Sequence, residues 1–360
     1  MELGLFSLMP QRDVSKPVSE IYDETIDLIG LAEAIGFDTA WLTEHHFSNY
    51  CSCPSPLMLA SNLAARTSTI KLGMAVLVLP LYHPLRLLEE IGMVDQLSNG
   101  RLVVGFGSGY QVEEFERFGL DLKENWDITY EMMDIIEMGM AEGRVAYDGT
   151  YFQIPETPIG TPVLQRPRPA VFLAGGMPEY LQRGGRAGYT PLVTVGSGDT
   201  AALMGVRDHV ESNYIEGGHT GPLPFAVNRT IYVTDDKDDA REAAERARYT
   251  ARIATAFKKQ YVRFNGLEAI PEPYEGEASL DTMLENLPIG DPESCAEKMV
   301  KDIKATGASH FSMFIQFGGL DHARARRSLE RIGSEVLPLV DKALCGIKAF
   351  CPDSVSAAAE

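Results

Sequence analysis

Two adjacent histidines, His45 and His46, close the run Trp41-Leu42-Thr43-Glu44-His45-His46-Phe47, and imidazole is the side chain best suited to moving protons near neutral pH. If that run is a strand, alternation puts Trp41, Thr43 and His45 on one side and Leu42, Glu44 and His46 on the other, so the histidines face apart. A zinc site would need His-x-His on one face with further ligands converging, and His83 and His310 would both have to reach in. No metal is therefore expected. From these residues alone, a general acid/base and a hydrogen-bonded buried pair both stay open.

Three further stretches could hold a ligand. In Leu72-Gly73-Met74-Ala75-Val76-Leu77, the small Ala75 would let a flat ring approach the backbone. Gly105-Phe106-Gly107-Ser108-Gly109-Tyr110-Gln111 is a glycine-rich turn whose exposed N–H groups can cradle a phosphate or ring carbonyls, although a tight connection reads the same way. Ala174-Gly175-Gly176-Met177-Pro178 precedes a helix start and is followed by Arg183 and Arg186, one helix turn apart. Nucleophilic hydrolysis is disfavoured, because no Gly-x-Ser-x-Gly elbow is present. The Cys51-Ser52-Cys53 pair lacks companion ligands and reads as two reduced loop cysteines.

These stretches need elements to position them. Short apolar runs flanked by Gly or Pro alternate with helical periodicities: Leu3–Leu8, Thr39–Glu44, Lys71–Leu77, Leu102–Gly107, Ala170–Ala174, Pro191–Val195, Phe225–Val233 and His310–Gln316 as strands. The helices are Val18–Ile35, Pro56–Arg66, Pro84–Leu97, Trp126–Glu142, Glu179–Ala187, Thr200–Ile215, Asp238–Tyr261, Glu293–Ala305 and Leu320–Leu339. Eight such units predict an α/β fold, a single (β/α)8 TIM barrel spanning 1–345, with active-site residues at the C-terminal ends of its strands. The Pro/Glu/Gly-rich stretch 265–290 reads as a mobile insertion or lid after strand 7, and 346–360 as a flexible tail.

With 360 residues and 45% hydrophobic content the chain can bury a large core, and its formal net charge of −19 repels phosphate backbones and anionic lipid. Nucleic-acid and membrane partners are not expected. Five scattered cysteines and no signal-peptide pattern predict a cytoplasmic protein without disulfides.

The stretch Gly36–Phe47 resembles the second-strand motif of the bacterial luciferase-like monooxygenases, the luciferase α-subunit among them. The likeness continues through Val78-Leu79-Pro80, His83-Pro84, Asp95–Arg101, Gly105–Phe118 and Asp302–Gly307, over nearly the whole chain. It implies a (β/α)8 barrel with an insertion after strand 7, binding reduced FMN delivered by a separate flavin reductase. It implies oxygenation of an organic carbonyl or aromatic substrate by O2 through a C4a-(hydro)peroxyflavin. It assigns proton handling to His45, a non-proline cis peptide to Ala75–Val76, and FMN contacts to Thr43, Ala75, Val76, Ser108, Gly109, Tyr110, Gly175, Gly176 and Met177. A dimer, homodimeric or heterodimeric, through Pro56–Arg66 and Pro84–Leu97 follows by the same resemblance. Alternatives are F420-dependent hydride transfer and a non-catalytic flavin-binding subunit. Two departures stand out: Ser108 and Trp126 replace arginines that hold the flavin phosphate in such proteins, and Gly107 replaces a luciferase cysteine, which opens space beside the ring.

Overall fold

Eight short parallel strands close on themselves in the computed structural model, which describes residues 1–350. They are β1 (Glu2–Ser7), β2 (Thr39–Leu42), β3 (Lys71–Met74), β4 (Leu102–Gly107), β5 (Ala170–Leu173), β6 (Thr190–Val193), β7 (Ala226–Thr230) and β8 (His310–Phe314). Each pairs in parallel with the next, and β8 returns to β1 with Gly4 opposite Ser312 and Phe6 opposite Phe314. The expected (β/α)8 barrel is thus the fold.

The surrounding helices are α1 (Val18–Ile35), α2 (Pro56–Ala64), α3 (Pro84–Leu97), α4 (Val112–Phe118), α5 (Asn125–Glu142), α6 (Pro178–Ala187), α7 (Thr200–Glu216), α8 (Lys237–Lys258), α9 (Leu280–Asn286), α10 (Pro292–Thr306), α11 (His322–Arg331) and α12 (Leu337–Ala343). Their boundaries follow local chemistry. Gly36 takes the left-handed conformation that stops α1, while Asp291 caps α10 by accepting Ser294 N–H at 2.9 Å, with Pro292 in the first turn. No helix among the described residues is long and apolar enough to cross a membrane.

Strand alternation sorts the barrel's two faces. Phe311 and Met313 join the core beneath the helices, whereas Trp41, Val103, Phe172, Leu192 and Ala226 pack together inside the barrel with Phe6 and Ala75 against them. Trp41 fits only because its neighbours are glycines: a Cβ on Gly4 would lie 2.6 Å from its indole nitrogen, and one on Gly73 would lie 2.4 Å from its ring. The N-terminal end of the barrel is closed by polar groups, with Lys71 Nζ 2.7 Å and His310 Nε2 3.5 Å from Glu2.

The seventh strand is shorter than the Phe225–Val233 read from sequence. It stops at Thr230, and Tyr232–Val233 leave the barrel to pair in parallel with Ile289–Gly290. Arg229, facing outward from β7 and fully buried, fixes the surroundings: Nε lies 3.0 Å from Asp302 of α10, Nη1 donates to Gly198 O at 2.8 Å and Nη2 to Asn286 O at 2.8 Å. Outside the insertion, α4 and an antiparallel hairpin of Arg144–Asp148 with Gln153–Pro158 were not anticipated. The hairpin buries only Val145 and Ile154 along its strands, too few apolar positions to register as a pattern.

The insertion carries a second small hairpin (Phe264–Asn265 with Glu268–Ala269) and α9. Asn49, in the loop after β2, binds this hairpin twice, its N–H donating to Leu267 O at 2.9 Å and its side-chain oxygen accepting from Ala269 N–H at 2.9 Å. Arg252 of α8 holds Glu277 of the insertion through two contacts of 2.5 and 2.6 Å. Of the segment read as a tail, Ile347 is buried and its carbonyl accepts from the N-terminal amine at 3.0 Å; residues 351–360 lie outside the described residues.

Candidate active site at the strand ends

Strand β2 ends at Leu42, so Thr43 to His46 lie beyond it and the alternation argument does not reach the histidines. Hydrogen bonds orient them instead. Thr43 Oγ1 donates to Ser7 O at 3.2 Å and touches Cys51 Sγ at 3.3 Å, and His45 N–H donates to Cys53 O at 3.2 Å. Both cysteines are free and buried, and burial pushes the Cys51 thiol up to about 12, so it is inert at neutral pH.

His45 Nδ1 lies 3.1 Å from Glu114 Oε1, and the same oxygen accepts His46 N–H at 2.7 Å. Glu114 stands in the first turn of α4 with its side chain only 1% exposed. A carboxylate only accepts, so Nδ1 carries the hydrogen and Nε2 is left to accept from the Tyr110 hydroxyl at 3.3 Å. The Gln111 amide lies 2.9 Å from Nδ1 and shares that hydrogen when its carbonyl is the end turned inward. The ring of Tyr50 lies 5.0 Å from that of His45. Burial pushes the Tyr50 phenol up to about 12, and burial with the neighbouring Tyr50 holds Tyr110 above the ordinary tyrosine range, so both keep their protons at neutral pH.

His46 turns to a different carboxylate. Its Nε2 lies 3.0 Å from Glu44 Oε1, while Glu44 Oε2 accepts from Val78 N–H at 3.0 Å and from Tyr82 OH at 2.8 Å. Burial raises Glu44 above the usual carboxylate range, opposed by these three donors. The two imidazoles therefore turn to different carboxylates, His45 to Glu114 and His46 to Glu44. Neither carboxylate was singled out from sequence; Glu113-Glu114 reads as ordinary acidic residues at a helix start.

Ala75–Val76, joined by the cis peptide that the resemblance implied, stand against the end of β4, and Tyr110 of the turn that follows reaches His45. The room left by Gly107 is not open: a Cβ there would lie 2.4 Å from Val76 Cγ2, so the Val76 side chain occupies it. On the turn, Ser108 Oγ donates to Gly109 O at 3.3 Å, Asn125 Nδ2 donates to the same carbonyl at 3.0 Å, and Gly109 has φ 74°.

The third stretch lies across the rim. Gly175, Gly176 and Met177 are exposed in front of α6, whose first turn has no side-chain cap. Trp126 lies against them, its ring edge 3.1 Å from where a Gly175 Cβ would be and its ring 5.1 Å from Tyr180. Arg183 points away to Asp134, at 2.8 Å, with its guanidinium 4.6 Å over Tyr130, while Arg186 sits exposed in the last turn.

A family model described as luciferase-like monooxygenase matches residues 1–310, and the chain belongs to that family. It is 34% identical to the uncharacterized protein y4vJ of Sinorhizobium fredii, over 96% of this chain and 99% of that one. It is 29% identical to the oxygenase component of the flavin-dependent trigonelline monooxygenase of Acinetobacter baylyi, over 94% and 95%. Among solved structures it shares the fold of the oxygenating constituent of 3,6-diketocamphane monooxygenase of Pseudomonas putida, solved in complex with FMN, with a TM-score of 0.75 at 22% identity over 94% of this chain and 98% of that one.

Proposed function

We propose that this chain is the oxygenase component of a two-component FMN-dependent monooxygenase, supplied with reduced FMN by a separate flavin reductase and acting on an organic carbonyl or aromatic substrate. The observation that carries the reading is His45, held between Glu114 and Tyr110 at the Ser108–Tyr110 turn that follows β4, against whose end Val76 packs.

The residues present fit the cofactor. The rim offers a small-residue wall, a glycine turn and uncapped backbone amides at Gly175–Met177, while Glu114 Oε2 is buried without a partner. Ala75, Val76, Ser108, Gly109 and Tyr110, with Thr43 behind them, would hold the ring; Gly175, Gly176 and Met177 would hold the phosphate. Reduced FMN, when bound, supplies the two electrons with which one atom of O2 enters the substrate and the other leaves as water.

The protein's part is proton management and exclusion of water. Glu114 fixes the Nδ1 hydrogen, leaving Nε2 of His45 as the site where a proton is taken up or released, with Tyr110 as a hydroxyl that stays protonated. The interior cluster around Trp41 keeps the floor apolar. With no arginine on the rim at Ser108 or Trp126, phosphate binding lacks charge assistance, which suits a cofactor that enters and leaves each turnover.

Anaerobic titration with photoreduced FMN, beside F420, followed by mixing with O2, tests the reading. FMN should bind more tightly than F420 and reoxidise more slowly on the protein than free in solution; tighter F420 binding or free-solution reoxidation refutes it. As an oxygenase working beside a soluble reductase, the chain would be cytoplasmic. A homodimer through α2 and α3 belongs to the same reading, because Met58, Met93 and Leu97 are 75, 54 and 53% exposed there. Light scattering should give twice the chain mass, reduced to one chain by Met58→Glu with Met93→Glu.

A further inference from the structure

Two buried polar side chains inside the barrel have no partner. Asn228 of β7 and Ser312 of β8 are opposite one another in the strand register and are 8% and 2% exposed. Asn228 Oδ1 and Ser312 Oγ make no hydrogen bond. Both face the interior: their neighbours Val227, Phe311 and Met313 join the core under the helices, and Ser312 Oγ lies 3.1 Å from where a Gly4 Cβ would point, on the side occupied by Trp41. Leaving a buried polar atom without a partner is costly, so two of them on facing register positions point to a polar group that the bound state supplies.

Two residues further along β8, toward the mouth, Phe314 stands opposite Phe6 of β1, with ring centroids 5.3 Å apart and edge to face. The flavin-side residues His45, Ala75–Val76, Ser108–Tyr110 and Gly175–Met177 follow β2 to β5, whereas Phe6, Phe314, Asn228 and Ser312 belong to β1, β7 and β8. The charged groups at the interior's closed end, Glu2, Lys71 and His310, are paired with each other. The orphaned pair is itself uncharged.

We infer that Asn228 and Ser312 are specificity-determining residues that bind the polar edge of the organic substrate, and that this substrate is a small, uncharged ring compound carrying a hydrogen-bond donor beside an acceptor, such as a lactam or ring amide. Phe6 and Phe314 take its flat body. Asn228 Oδ1 accepts the donor and Ser312 Oγ donates to the acceptor. The assignment rests on the flavin reading of the opposite half of the mouth.

The test uses 2-pyridone, which carries N–H and C=O on one ring edge, against toluene and benzoate, by ligand-observed NMR titration of the whole chain with and without FMN. 2-Pyridone should bind at least about tenfold more tightly than either control. Asn228→Leu and Ser312→Ala should each weaken it about fivefold, the worth of one hydrogen bond, without weakening toluene. Equal affinity for 2-pyridone and toluene would mean that the pair holds only water; tighter benzoate would mean an anionic substrate; either overturns the inference. Stability is a second readout: removing an orphaned oxygen should leave the melting temperature of Asn228→Leu unchanged or higher, and a fall of several degrees also overturns it. FMN affinity, measured separately by equilibrium dialysis, reports on the flavin reading, whose failure would leave the FMN-free titration to decide the subsite.

Discussion

Gly107→Ala isolates the packing that joins the end of β4 to Val76. The new Cβ would sit 2.4 Å from Val76 Cγ2, 3.4 Å from its Cβ and 3.7 Å from Cγ1, against an ordinary carbon–carbon contact of roughly 3.5–4.0 Å. More than 1 Å must be recovered, and a β-branched side chain with one favoured rotamer cannot simply swing away. Overpacking of this kind costs about 1–3 kcal/mol. Urea denaturation followed by far-UV circular dichroism should show that loss for Gly107→Ala, and anaerobic titration should show weaker binding of reduced FMN, because Val76 is forced off its wall. Val76→Ala removes the atom in the way, so the double variant should match Val76→Ala alone, a coupling of about 1–3 kcal/mol. A Gly107→Ala protein as stable as the parent, or a double variant that is no better than the sum of the singles, would refute the reasoning.

His45→Ala should lower oxygenation of a turned-over substrate by about 10²–10⁴-fold with reduced-FMN affinity little changed, and Glu114→Gln, which orients the ring without charge, by about 10-fold; stopped-flow kinetics distinguish them. Asp302→Ala strands the buried Arg229 guanidinium and should cost about 3–5 kcal/mol, read as a fall in the urea midpoint. Glu33 is held at about 2: burial opposes ionisation, but the N–H groups of Thr69, Ile70 and Ser68 outweigh it. Its contribution to stability is therefore complete above the unfolded carboxylate range and is lost as pH falls from roughly 5 toward 2, so Glu33→Gln should flatten the acid limb of a stability–pH curve.

The barrel was legible because strands buried on both faces leave continuous apolar runs, and Gly and Pro punctuate them at each end. The same signal explains where the reading stopped. Thr43-Glu44 looked like strand because Thr is at home in one, yet the ladder ends at Leu42, and tertiary contacts, from Glu114 reaching over from α4 and from Tyr110 and Gln111, set the direction of His45. Glu114, Gln111 and Tyr50 come from separate loops and a short helix, and nothing in local periodicity brings them together. Gly107 shows the same limit, since whether a missing side chain leaves room depends on a neighbour on another strand. Asn228 and Ser312 hide in runs that read as ordinary strand; only burial without a partner exposes them.

Asn49 ties three pieces of chain that are far apart in sequence: the loop after β1 through Gln11 O at 3.1 Å, the loop after β2 in which it sits, and the insertion hairpin through Leu267 and Ala269. Releasing the hairpin from Asn49 gives up two hydrogen bonds, a net change of about 1–3 kcal/mol, in addition to the contacts of the Phe264 ring with Phe257 and Arg117. The loop that loses them is the one that carries His45, four residues upstream. The insertion hairpin and the loop that carries His45 are thus coupled through one asparagine, and amide exchange at Ala269 would report on that coupling.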